Sequence, residues 1–170
     1  MSQTRISAFW MYVILVVAQM VICNYFYLGY YVTLSLLPAL ILLMPLSIGT
    51  AGVMCIAFVT GFAVDAFAEG LIGLNILALV PVAFFRRRIL SLVFGPEIFV
   101  RGANVSIQRN GLGKVISSLL IAQAIFLIVY IWADTAGTTP FWFDLLRFLA
   151  SLVCGLPLGL LAENLLEDRP

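Results

Sequence analysis

A chain of 170 residues that is 64% hydrophobic and 10% charged, against roughly 25% charged in an average soluble domain, is expected to be an integral membrane protein; its mean hydropathy is +1.15. Nine Lys and Arg against eight Asp and Glu give a net charge of +1 without a continuous basic face, so nucleic acid is not an expected partner. The chain contains no His, which removes Ser-His dyads, HExxH zinc sites and His-based acid-base catalysis, and no glycine-rich phosphate loop is present either. It is therefore expected not to be an enzyme and to need no cofactor or metal.

At about 20 to 25 residues per span plus short turns, the length allows five or six transmembrane helices and no separate soluble domain. The first span is predicted at about 9–24. It follows Arg5, lacks a small-x-small cleavage site, and has a lipobox-like Val21-Ile22-Cys23 in which Ile22 is too bulky, so it should remain as an anchor. Tyr25, Tyr27, Tyr30 and Tyr31 then mark an interface. The second span is predicted at 33–46, entered through Pro38 and closed by Pro45 and Gly49; the third, at 52–67, carries Gly61 and Asp65. Gly70 and Gly73 give a tight antiparallel turn into the fourth, at 71–85, which stops at Arg86, Arg87 and Arg88. The short apolar piece 89–94 is expected along the membrane surface, ended by Gly95-Pro96, with a polar loop over 101–113. The fifth and sixth spans are predicted at 115–133 and 141–161.

Arg86, Arg87, Arg88, Arg101, Arg109 and Lys114 are six of the nine cations, and their only acid in between is Glu97. Cations flanking spans stay cytoplasmic. Counting outward from that loop places both termini in the cytoplasm and the cation-free linker 134–140 outside.

Asp65 is the leading candidate residue, since a carboxylate at mid-span costs about 2.5 to 3.5 kcal/mol on insertion scales. Its position near the outer end of the third span favours a hydrated helix-end acid or a structural or partner contact over a proton relay, for which the other spans offer no His and no second acid at comparable depth. Asp65 and Glu69, four apart on one face, would repel. Arg147 could pair with Asp144 one turn away, or across helices with Asp65. Arg86, Arg87 and Arg88 read as a topology anchor or as a docking patch for anionic lipid or an acidic partner. Gly155 and Gly159 have small-xxx-small spacing suited to close helix approach, with Pro157 between them equally suggesting a kink. Cys23, Cys55 and Cys154, one per apolar run and without CxxC spacing, read as small buried hydrophobes.

One order of residues goes further. The stretches 19–24 and 34–45, then Gly61-Phe62-Ala63-Val64-Asp65-Ala66-Phe67, then Gly73-Leu74-Asn75, closing on Arg86, Arg87 and Arg88, resemble MreD, the rod shape-determining membrane protein family of bacteria. In that family a Gly-x-x-x-Asp near the end of one span precedes a glycine at the start of the next, and an arginine closes that span. Gly61, Asp65, Gly73 and Arg86 occupy those places. The likeness covers roughly 15–90; beyond it only the two-span pattern is shared, and where family members often carry His after the fifth span this chain has Ala133-Asp134-Thr135.

The resemblance implies an all-α membrane protein with six transmembrane helices, similar in fold to the substrate-binding subunits of energy-coupling-factor vitamin transporters. It implies a non-enzymatic scaffold of the cell-elongation machinery, associated with membrane lipids, MreC, RodA and its transpeptidase partner, and the cytoplasmic MreB filament. Gly61, Asp65, Gly73, Asn75, Arg86, Arg87 and Arg88 become the expected structural or partner contacts. The alternative implied by the shared fold is a transporter subunit, for which an Ala-x-x-x-Ala pattern in the first span would be the signal; Ala8 and Ala18 do not make one.

Overall fold

The computed structural model of the protein describes residues 2–25, 32–69, 72–101, 111–136 and 138–167. Among them every regular element is a helix. In chain order these are α1 (Ser2–Tyr25), α2 (Leu37–Leu42), α3 (Thr50–Val64), α4 (Leu74–Phe94), α5 (Glu97–Arg101), α6 (Leu112–Thr135) and α7 (Phe141–Glu167). A single π turn, Asp65–Glu69, prolongs α3. Gly70, residues 102–110 with Arg109, and the side chains of Arg5, Glu69 and Arg101 lie outside the described residues.

Among the described residues, three helical stretches are long and apolar enough to cross a membrane: Thr50–Ala68, Leu112–Thr135 and Phe141–Leu166. Trp10–Tyr25 is a shorter apolar stretch, and α4 carries its three arginines within a 21-residue helix. The apolar surface is turned outward. Trp10, Ile14, Phe58, Phe62, Trp132, Leu146 and Val153 are all exposed, whereas Gln19, Asp65, Asn75, Arg86, Gln123, Ser151 and Glu163 are buried alongside the apolar core. In water such an exterior would be a large unshielded patch; against hydrocarbon it needs no cover, and the polar side chains gain from facing protein.

Two expectations change here. The 89–94 piece is not a separate surface segment, because α4 runs without a break to Phe94 and buries Ile89 and Leu90. Arginine is a good helix former, so three in a row do not stop a helix; Gly95, at φ 85°, does. The 33–46 run is helical only over Leu37–Leu42, and a six-residue helix rises about 9 Å against the roughly 30 Å of a hydrocarbon core. Every residue of α2 is buried.

Buried backbone outside a regular helix must find its hydrogen-bond partners elsewhere in the protein. Here the partners come from three other helices. Gln19 of α1 donates from Nε2 to the Leu34 carbonyl at 3.0 Å and accepts the Leu36 N–H on Oε1 at 2.7 Å. Ser151 of α7 accepts the Thr33 N–H on Oγ at 2.8 Å, and Gln123 of α6 reaches the Ser35 carbonyl at 3.5 Å. Gly155 is where α7 comes down on Gln123, and a Cβ there would lie 2.5 Å from its Nε2. Gly159 similarly packs on Ala39 and Leu119. The small-residue pair therefore closes α7 onto its own bundle.

Candidate functional site

The helical hairpin of α3 and α4 collects four of the residues singled out by sequence. Gly61 lies one turn before Asp65 on α3, and a Cβ on it would sit 2.8 Å from the Ile76 nitrogen and 2.9 Å from its Cα. Only a glycine lets the first turn of α4 come that close. The approach brings α4's leading N–H groups, the donors a helix start leaves without intrahelical partners, to the Asp65 carboxylate.

Asp65 is fully buried. Its Oδ2 accepts the Gly73 N–H at 2.8 Å, with the Ile76 N–H at the limit of 3.5 Å. Its Oδ1 accepts both the backbone N–H and the side-chain amide of Asn75, at 3.0 and 2.9 Å. Gly73 is the residue before the helix, held at φ 117°, a left-handed conformation that strains any residue with a Cβ. Asp65 thus serves as the N-cap of α4 from a different helix. A negative charge at that end also complements the helix dipole. This overturns the hydrated helix-end reading of Asp65 and places Gly61, Asp65, Gly73 and Asn75 in one joint. Replacing Gly61 by alanine is expected to push α4 away from the carboxylate and cost about 2 kcal/mol; unfolding of the purified variant in detergent measures it.

Arg86 makes a comparable arrangement further along α4, about two turns before its end. It is 5% exposed, and its Nε donates to the Leu42 carbonyl at 3.1 Å while Nη2 donates to the Met44 carbonyl. Leu42 is the last residue of α2, where carbonyls have no helical partner and a cation suits the dipole. A buried acid therefore holds the start of α4 and a buried base holds the end of α2. Arg87 and Arg88 are exposed, and Arg87 stacks over the Phe99 ring at 5.0 Å. The three arginines are thus not one anchor: the first is an interior strut.

Arg147 pairs with neither predicted acid. Its Nη1 meets Asp134 Oδ2 at 2.6 Å, and Nε and Nη2 donate to Thr33 Oγ1 at 3.2 and 3.1 Å. Asp144 instead accepts the Thr139 hydroxyl at 2.6 Å. The cross-helix pair joins α6 to α7, and the Thr33 contacts fix the start of the irregular segment. Sequence reasoning passed over Asp134, Gln123, Ser151 and the buried Glu163; Gln123 and Ser151 are polar residues inside apolar runs, which is the signal that could have found them. The cysteines depart from expectation too, Cys55 and Cys154 being exposed and Cys23 half-buried. Against lipid an exposed thiol carries no hydrophobic penalty, so apolar character does not decide which way it faces.

Chemically, these groups are engaged in holding elements together. Asp65, Arg86, Gln19 and Arg147 direct hydrogen bonds to the backbone or side chains of other elements. Comparisons with protein-family models, with curated proteins and with solved structures return no match for this chain.

Proposed function

We propose that this chain is a non-enzymatic membrane scaffold of the bacterial cell-elongation machinery, similar to MreD, that helps join cytoplasmic MreB filaments to MreC and to RodA with its transpeptidase. In this reading it lies in the cytoplasmic membrane with six crossings and both termini inside. The second crossing is the buried 33–46 segment, carried by its neighbours as much as by its own helix.

The observation that carries the reading is the series Gly61, Asp65, Gly73 and Arg86, on which the resemblance rests. Gly61, Asp65 and Gly73, with Asn75, lock the α3–α4 hairpin, and Arg86 ties a point further along the same α4 to the end of α2. A rigid hairpin with its polar groups turned inward suits a protein that acts by holding partners in place. Depletion in the native bacterium is the test. Rounded, widened cells are expected, and cells that keep rod shape and width after the protein is gone would remove it from the elongation machinery.

A further inference from the structure

A cavity of about 250 Å³ opens beside Arg86 in the second half of α4, between that helix and the start of α3. Ser47, Gly49, Thr50, Arg86, Arg87 and Phe99 are among the residues that line it. Two guanidinium groups meet there, and among the described residues neither has a carboxylate partner. Arg86 is the telling one. It is 5% exposed, and its charge is met only by the Leu42 and Met44 carbonyl dipoles. Those bonds occupy two of the five N–H donors of a guanidinium, and a buried charge without a counter-charge is costly. The start of α3 adds to the same polarity, since Gly49 precedes the helix without any side-chain cap and the first N–H groups of a helix favour an anion.

We propose that this cavity binds the phosphate of an anionic phospholipid headgroup. Arg86 and Arg87 would supply the charge, the N–H groups at the start of α3 and the Ser47 and Thr50 hydroxyls further donors. A lipid fits better than a free anion because of where the cavity lies on the helix. Phe84 and Phe85 immediately before the arginines are exposed, so α4 passes there from an apolar exterior to a cationic one, the level at which headgroups sit. The two phenylalanines would lie along the acyl chains while the phosphate enters beside Arg86.

The test uses the full chain purified in detergent, with phosphatidylglycerol, phosphatidylcholine and inorganic phosphate as separate probes. Phosphatidylglycerol should stay bound in native mass spectrometry and raise Tm saturably, and phosphatidylcholine should do neither. Arg87→Gln, at an exposed position that should fold normally, should lower the retained fraction at least tenfold. Arg88→Gln changes the net charge equally but touches a residue outside the cavity lining, and should change retention less than twofold. Equal losses in the two variants would mean diffuse surface attraction and overturn the cavity assignment, as would equal retention of the two lipids. Stabilisation by inorganic phosphate without any by phosphatidylglycerol would overturn the lipid assignment.

Discussion

Asp65→Ala should lower the stability of the purified protein by about 3 kcal/mol, the largest effect expected of any single change at the α3–α4 joint. Removing a helix cap, a cost that already includes the stranded helix-start N–H groups, is worth about 1 to 2 kcal/mol, and the Asn75 side-chain amide left buried without an acceptor costs about 1 to 3 more. The alanine would strand the N–H groups of Gly73 and Asn75 as well as the Asn75 amide, all now taken by one carboxylate. Asp65→Asn should cost about half as much. Its amide oxygen can keep both Asn75 contacts, whereas its NH2 group would face the Gly73 and Ile76 N–H groups that Oδ2 now accepts. Unfolding by denaturing detergent, followed by helical circular dichroism, ranks the three proteins. In cells, abundance and rod shape should fall together. A misshapen cell with normal amounts of the Asn variant would mean instead that the carboxylate meets a partner.

Arg86→Met should cost a similar amount, about 3 kcal/mol. Hydrogen bonds to charged groups contribute about 1.5 to 3 kcal/mol, and methionine would fill much of the space while leaving the Leu42 and Met44 carbonyls without their donor. Arg86→Lys should recover part of the loss. A single ammonium keeps the charge at the end of α2 but lacks the fork that reaches two carbonyls at once. The same unfolding assay reads the order, with wild type most stable, lysine intermediate and methionine lowest. A methionine variant as stable as the wild type would show that α2 holds its position without this strut.

The parts of this fold legible in the sequence were those fixed by local chemistry. Long apolar runs located α3, α6 and α7, and the resemblance singled out Gly61, Asp65 and Gly73 as structural or partner contacts without saying which. What the sequence left open depended on contacts between distant segments. An apolar run such as 33–46 looks alike whether it forms a long helix or a short one carried by its neighbours, and its backbone partners, Gln19, Gln123 and Ser151, sit on three other helices. Arg147 chose Asp134 on α6 over Asp144 on its own helix, because the closing of α7 on the bundle, not the one-turn spacing, decides which acid it meets. Hydropathy also loses its power to sort inside from outside when the surroundings are apolar. Cys55 and Cys154 face outward for that reason, and the break in expectation at Arg86, Arg87 and Arg88 came from helix propensity and the burial of Ile89 and Leu90 carrying α4 through the charges.

Partner capture tests the central claim, that this chain works by holding other proteins together. The full-length protein, tagged and extracted in mild detergent from its own bacterium, should bring down MreC and the RodA synthase in amounts comparable to its own, with no stoichiometric small molecule found by mass spectrometry of the denatured sample. Recovery of a vitamin at one equivalent, together with an energy-coupling-factor ATPase and without MreC, would contradict the account and make the chain a transporter subunit.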